Sequence, residues 1–410
     1  MKVSRCKGTR DLLPQDMAKF RCIEAEFRDC CLGWGYQEIR TPVLEYLHLF
    51  TSAGTLSPDM LGRVYSFLDW DGWSGERVAL RPDGTIPTAR LYVENFQNLP
   101  IAKFFYVENM FAFEDTGKES RERWQFGAEL IGGSKAEGDV ELISLALEAV
   151  GKLGIGPVEL RLAHAGLIKT MLEGLGLRGE NEADVLDQVF SGNLGVLSGL
   201  KGGNPELVKN LQFLFGLKGD SPGFVENLRG VFCSSLPALE PSLNELARIS
   251  NLLTRLGFDY QIDFTSGRGF EYYTGIIFGF YNSGRRLGGG GRYDELIPLV
   301  GGKNVHASGF ALYIDELMGL LGELPQRERI LIRAKDAKGL KPSLGLARQL
   351  RDAGYVAEFD LGYKKTDDFR WIVNVRSNDE IDLLDQLGGK KRRKFSFAEL
   401  MKLLEEARCR

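Results

Sequence analysis

Apolar residues recur at helical spacing over 15–32, where Met17, Phe20, Ile23, Phe27 and Cys30 fall on one face, and Gly33-Trp34-Gly35 ends the run. A strand-like YQEIRTPVLE follows. From 78 to 132, strands alternate with one short helix, TIPTARLYVEN. The next helix is predicted over 137–153, with Val140, Ile143, Leu145 and Leu147 on overlapping apolar faces. VELRLAH and YQIDFTS predict two further strands, and residues 167–256 between them carry a helical pattern interrupted by SGNLG, KGGNPE and KGDSPG. That arrangement predicts a helical insertion in a β-rich domain. IIFGFYNSG and RRLGGGG then pair as a hairpin across Asn282-Ser283-Gly284, and ASGFALYIDELMGLLGEL passes from strand to helix.

ELPQRER at 323–329 is polar, contains Pro325, and marks a linker between a first domain over 1–322 and a second over 330–410. The pattern restarts beyond it as strand RILIRA, helix LKPSLGLARQLRDAG, strands VAEFD and RWIVNV, and a final helix SFAELMKLLEEAR. Strands and helices of that length, alternating, predict a small α/β domain. The chain shows no internal repeat and no low-complexity segment.

A chain of 410 residues has room for two or three domains and a large buried core. No uncharged apolar run is long enough for a membrane-spanning helix, and MKVSRCKGTRDLLPQD lacks a secretory apolar stretch, so a cytoplasmic location and no membrane contact are expected. The six cysteines form no CxxC pair and there are three histidines, so neither a metal site nor a cofactor is expected. The net charge of −4 argues against a broad nucleic-acid surface, and the basic run GKKRRK at 389–394 reads as a solvated patch on a loop. No nucleic-acid partner is expected.

Four segments carry candidate chemistry. In RPDGTIP, at 81–87, a turn built on Arg81, Asp83 and Gly84 accounts for the residues taken alone. In FYVENMFAFEDTGKESRERWQFGAELIG, at 105–132, two strands flank a charged loop, and the exit strand puts Gln125 and Glu129 four residues apart on one sheet face. A glutamate facing a sheet interior needs a cation or hydrogen-bond donors; the alternative from sequence is a solvated outer face. SGRGFEYYTG, at 266–275, sets Arg268 between glycines, which lets the backbone approach a ligand while the guanidinium pairs with a carboxylate or phosphate. LGGGGRYDEL, at 287–296, gives up side-chain packing at four successive glycines, as expected where a ligand or another backbone lies against the strand. Together these offer acceptors for an ammonium group, an arginine for a carboxylate, and tyrosines with a buried acid for a small polar ring. They describe a pocket for a free amino acid, with no nucleophile, metal set or phosphate loop, and no catalytic residue is assigned.

KGTRDLLP at 7–14, GYQEIRTPVLE, RPDGT, the 105–132 hairpin, RGFEYYTG and GGGGRYDEL together resemble the catalytic domain of histidyl-tRNA synthetases. The resemblance implies an α+β fold of the class II aminoacyl-tRNA synthetase type: an antiparallel sheet with helices, the helical insertion, and a small C-terminal α/β domain similar to a shortened anticodon-binding domain. It places the L-histidine contacts on Asp83, Thr85, Gln125, Glu129, Arg268, Tyr272 and Tyr273. It also places a dimer interface around Pro42.

Two departures change the implied function. The family's motif 2 arginine, which holds the ATP α-phosphate, corresponds to Ala112, and its motif 3 arginine corresponds to Glu316 within Ile314-Asp315-Glu316-Leu317. Asp115 stands where another family arginine is expected. Losing one preorganised charge contact costs on the order of 100- to 1,000-fold in rate. A synthetase-like chain that keeps histidine recognition and loses ATP chemistry resembles the regulatory subunits of ATP phosphoribosyltransferase. That resemblance implies a non-catalytic chain, required by a short catalytic subunit for the first step of histidine biosynthesis and for feedback by histidine, and present as a homodimer within a hetero-octamer. The alternatives are a histidyl-tRNA synthetase with divergent motifs, and a histidine- or tRNA-binding sensor without an enzyme partner.

Overall fold

The structure is a computed structural model that describes residues 4–408 apart from 52–60, 71–74, 115–119, 178–184, 186–187, 189–194, 199–204, 267–271, 326–327, 363–364, 378–379 and 388. The first helix, Pro14–Gly33, starts where Pro14 fixes the backbone angle and the Asp16 carboxylate accepts the Leu13 N–H at 3.1 Å. Its apolar stripe buries Phe20, Ile23, Phe27, Cys30 and Cys31, as the spacing predicts. Phe27 meets Phe105, Phe126 and Phe310 at centroid distances of 6.0, 5.3 and 6.3 Å. These three rings belong to three strands, so one helix covers one face of a sheet.

The strands of the first part of the chain are β1 (Gln37–Glu38), β2 (Leu44–Tyr46), β3 (Ser66–Trp70), β4 (Gly75–Leu80), β5 (Ile101–Phe111), β6 (Glu122–Gly132), β7 (Glu159–His164), β8 (Lys218–Gly219), β9 (Tyr260–Asp263), β10 (Ile276–Asn282), β11 (Arg285–Arg292) and β12 (Ala307–Tyr313). Nine of them form one sheet in the order β1-β5-β6-β12-β11-β10-β7-β9-β8. The centre is antiparallel, as expected, and the flanks are mixed, because β1 runs parallel to β5 and β7 parallel to β9. The β10–β11 hairpin turns at Ser283 and Gly284, with φ of 48° and 79°, where the sequence places it. β2, β4 and β3 form a separate three-stranded sheet, which leaves Leu44, Tyr46, Phe67, Leu68 and Trp70 between 46% and 73% exposed.

The expected helical insertion contains helices Ala165–Gly174, Pro205–Gly216, Pro222–Phe232 and Glu240–Arg255 among the described residues. It is not helical throughout: Lys218–Gly219 forms β8 at the edge of the large sheet, pairing with β9. Two residues of strand carry no apolar period, which is why the pattern misses them.

The chain divides into compact units Met1–Gly322 and Glu323–Arg410. The second contains β13 (Arg329–Ala334), β14 (Val356–Phe359), β15 (Trp371–Ser377), β16 (Glu380–Asp385) and β17 (Lys390–Phe395) in the order β14-β13-β15-β16-β17. Helices Leu340–Asp352 and Phe397–Arg408 contribute Leu346, Leu350, Leu400 and Leu404 to a core with Ile330, Ile332, Trp371 and Val373. The basic run 389–394 is therefore not on a loop. Its residues from Lys390 belong to an edge strand whose backbone pairs with β16. Five successive cations carry no apolar alternation, so only the ladder with β16 reveals the strand.

One buried ion pair ties the 40–43 segment to the 105–132 hairpin. Arg81 lies 2.6 Å from Glu108, with side chains 3% and 1% exposed, and also donates to the Thr41 and Asn109 carbonyls at 2.8 and 2.9 Å. Glu108 in turn accepts from the Thr41 N–H at 2.6 Å and its hydroxyl at 2.9 Å. Arg81→Ala would leave this carboxylate buried without its counter-charge, and we expect a loss of about 3–5 kcal/mol in urea unfolding. A change under about 1 kcal/mol would show that the pair does not bear on stability.

Candidate functional site

The site is built on the sheet face opposite the first helix. The β5–β6 register pairs Phe104 with Glu129, Tyr106 with Gly127 and Glu108 with Gln125, so these residues share that face. Glu129 is 0% exposed. Its Oε1 accepts from the Thr85 hydroxyl at 2.8 Å and the Tyr106 hydroxyl at 3.3 Å, and its Oε2 accepts from the Tyr293 hydroxyl. Burial raises its pKa to about 8, against the lowering effect of these hydroxyls.

Asp83 sits beside this cluster, just before helix Thr85–Asn95. Its Oδ1 accepts the Ile86 N–H at 2.8 Å and its Oδ2 accepts from the Tyr272 hydroxyl at 3.3 Å. Burial pushes its pKa up as well. Tyr272 packs edgewise on Tyr273 at 5.1 Å and on Tyr293 at 6.0 Å. The turn at RPDGT is thus real, and it also delivers Asp83 and Thr85 to the site.

Of the seven expected contacts, Asp83, Thr85, Glu129, Tyr272 and Tyr273 come together as a buried group. Gln125 shares the face of Glu129, two rows along β6, and is half-buried. Arg268 and Asp115 lie outside the described residues. Tyr106 and Tyr293 were not among the expected contacts. Tyr293 lies within LGGGGRYDEL, where the glycines rather than the tyrosine carry the signal; Tyr106 looks like any aromatic strand residue.

The glycines are used for close approach, largely by the protein itself. A Cβ at Gly309 would fall inside the Glu129 carboxylate, one at Gly84 would come within 2.6 Å of the Tyr106 ring, and one at Gly291 within 2.9 Å of the Tyr273 ring. Gly288 and Gly290 abut the backbone of β12. A groove of about 570 Å³, lined by Trp34, Val140, Glu141, Leu147, Leu256 and Phe258, contains none of the expected residues.

Behind the site, Arg292 is 1% exposed and its guanidinium pairs with Asp139 and Glu245. Ser308 donates to Asp139 at 2.6 Å, and the His164 ring lies 3.3 Å from Glu245. Burial pushes Asp139 up to about 7. Burial also raises Glu245, but His164 and Arg292 outweigh it and hold the carboxyl at about 2. Ala112, directly after β5, donates its N–H to the Arg121 carbonyl at 3.0 Å, and Glu316 lies 3.4 Å from Arg285 with both side chains about half exposed. Neither position supplies a cation, although Arg285 accompanies the acid.

The histidyl-tRNA synthetase family model matches residues 8–317. An ATP phosphoribosyltransferase regulatory subunit of Dehalococcoides mccartyi is 46% identical over 406 residues, covering 98% of each chain. A histidine–tRNA ligase of Methanosarcina acetivorans is 32% identical, covering 95% of this chain and 96% of its own. The crystal structure of an ATP phosphoribosyltransferase regulatory subunit/histidyl-tRNA synthetase from Bacillus halodurans is 25% identical with a TM-score of 0.77, covering 92% of this chain and 99% of that one. The histidyl-tRNA synthetase of Nostoc sp. PCC 7120, at 18% identity and a TM-score of 0.78, shares the fold over 99% of this chain.

The raised Glu129 pKa has a measurable consequence. The folded protein keeps a proton that the unfolded chain releases above about 4.5, so this group's contribution to stability falls as pH rises from there to about 8 and is constant above. Between about pH 6 and about pH 8 the wild type should lose about 2 kcal/mol more than Glu129→Gln in chemical denaturation. Asp139 titrates in both proteins and cancels. Parallel pH profiles would contradict the assignment.

Proposed function

We propose a histidine-responsive role from one premise: the chain belongs to the family of ATP phosphoribosyltransferase regulatory subunits, relatives of the histidyl-tRNA synthetases. It is a regulatory subunit rather than an active ligase. The proposed role is to activate a short catalytic subunit that joins ATP to phosphoribosyl pyrophosphate, and to carry feedback by L-histidine. The carrying observation is the combination of a complete carboxyl–hydroxyl cluster around Glu129 with Ala112 and Glu316 at the positions of the ligase arginines.

The cluster suits an amino acid with a small polar ring. Glu129 and Asp83 supply acidic oxygens for N–H donors, and the tyrosines wall the ring. Arg268 is assigned the carboxylate, and Gln125 a further polar contact at the rim. Val43, Leu44 and Tyr46 beside Pro42 are 39%, 47% and 50% exposed, which supports a two-fold dimer through this segment, retained in an assembly of four regulatory and four catalytic chains.

The test is to assay phosphoribosyl-ATP formation with the chain, with a short catalytic subunit, and with both. Activity in the mixture alone, reduced by histidine, is expected; full activity of the catalytic subunit by itself would overturn the role. With histidine at ~100 times its dissociation constant, the chain alone should gain about 2.7 kcal/mol of stability and melt at a higher temperature. Absence of that shift would remove the pocket.

A bidentate contact needs the planar guanidinium fork, so Arg268→Lys should weaken histidine binding nearly as much as Arg268→Ala, by about 1.5–3 kcal/mol in calorimetry. Unchanged affinity in Arg268→Ala would take Arg268 out of the site.

A further inference from the structure

Strict alternation along β11 would turn Arg286 to the face of Gly288 and Gly290, the face on which Phe310 meets the first helix. A bulge prevents that. Phe280 pairs with Gly288 and Tyr281 with Arg286, so Leu287 is an extra residue in β11, and Arg286 shares the face of Tyr281, Gly279 and Gly289. This is also the face of Glu129: Gly289 pairs with Ala311, Gly291 pairs with Gly309, and the Glu129 carboxyl lies where a Cβ on Gly309 would stand. Glycine makes the room. A Cβ on Gly289 would come within 2.7 Å of Arg286 Nη2, and one on Gly279 within 2.8 Å of the Tyr281 ring. Tyr313, Tyr281 and Tyr273 surround the guanidinium, and Tyr281 is held in turn by the Arg161 guanidinium, 4.2 Å from its ring centroid.

The register sets the spacing of these groups. From Gly309 to Gly289 is one strand spacing and two residues, about 8 Å. The Glu129 carboxyl lies over the first of these glycines and Arg286 Nη2 over the second, and the Tyr273 ring lies over Gly291 between them. That span suits one free amino acid whose ring meets the acid at one end and whose carboxylate meets a cation at the other. A carboxylate has about four acceptor positions, enough for two guanidinium groups.

We propose that Arg286, turned onto the site face by the bulge at Leu287, is a second contact for the ligand carboxylate, beside the Arg268 assigned to it above. This rests on the histidine pocket proposed above and adds a specificity-determining residue to it, one that makes the pocket distinguish an amino acid from the same ring and ammonium group without a carboxylate.

The experiment is titration calorimetry of L-histidine and of L-histidinol, which replaces the carboxylate by a hydroxymethyl group, against the full chain as wild type, Arg286→Met and Arg286→Lys. The wild type should prefer histidine by about tenfold or more. Arg286→Met keeps an unbranched stem over Gly289 and removes the charge; it should lower histidine affinity about tenfold or more, change histidinol affinity less than about twofold, and so reduce the preference by the same factor. Arg286→Lys keeps the charge without the planar fork and should reduce the preference about threefold or more, which also supplies the readout if the Met variant does not fold. An unchanged preference in the variants, equal losses for the two ligands, or a wild type that binds both equally overturns the inference while leaving the ring pocket. A wild type that binds neither ligand overturns both.

Discussion

Taking the Glu129 carboxyl out of water in the middle of a strand is costly, and the cost is met only because hydroxyls from three parts of the chain converge on it. That requirement reaches well beyond the residue. It sets Thr85 at the start of its helix, Tyr106 on the neighbouring strand and Tyr293 directly after β11. It also excludes side chains at Gly84, Gly127 and Gly309. The glycine-rich centre of the sheet makes way for polar side chains that occupy the space above the backbone.

Two further buried charges brace the same sheet. Arg81 with Glu108 joins the entry segment around Thr41 to the hairpin that carries Tyr106. Arg292, one residue before Tyr293, joins β11 to helices Lys135–Lys152 and Glu240–Arg255 through Asp139 and Glu245. Such pairs add little net stability over an apolar core but are expensive to break singly, so they favour one arrangement of these elements. The last helix of the insertion is thereby tied to the strand that presents Tyr293. Tyr272 and Tyr273 are tied to the same place, since the Thr274 N–H donates to the Arg292 carbonyl at 2.8 Å.

The positions that separate this chain from a ligase lie apart from that cluster. Ala112 directly follows β5, and Glu316 lies in the first turn of helix Ile314–Leu320 with Arg285 alongside. A cation at either point would be needed for a triphosphate, and an acid half neutralised by an arginine does not replace one. The proposed histidine contacts and the two positions of the ligase arginines are thus different residues, so that one set can change while the other is kept.

Periodicity alone located the first helix, the β10–β11 hairpin, helix Thr85–Asn95 and most of the C-terminal unit, because each buries one face and its pattern repeats along the chain. The resemblance to the synthetase motifs singled out Asp83, Thr85, Glu129, Tyr272 and Tyr273, which the fold buries together. Other features had no local signal. β8 is two residues long, β17 is a run of cations that pairs only through its backbone, and the parallel flanks of the sheet depend on which strand ends up beside which. Tyr106 is indistinguishable in sequence from the aromatic residues around it, and Arg292 from any arginine after a glycine run. Their roles follow from partners 23 and 153 positions away, Glu129 and Asp139, which meet them only when the sheet has closed. A local pattern records which face a residue turns inward; what stands opposite it is decided by the order of the strands.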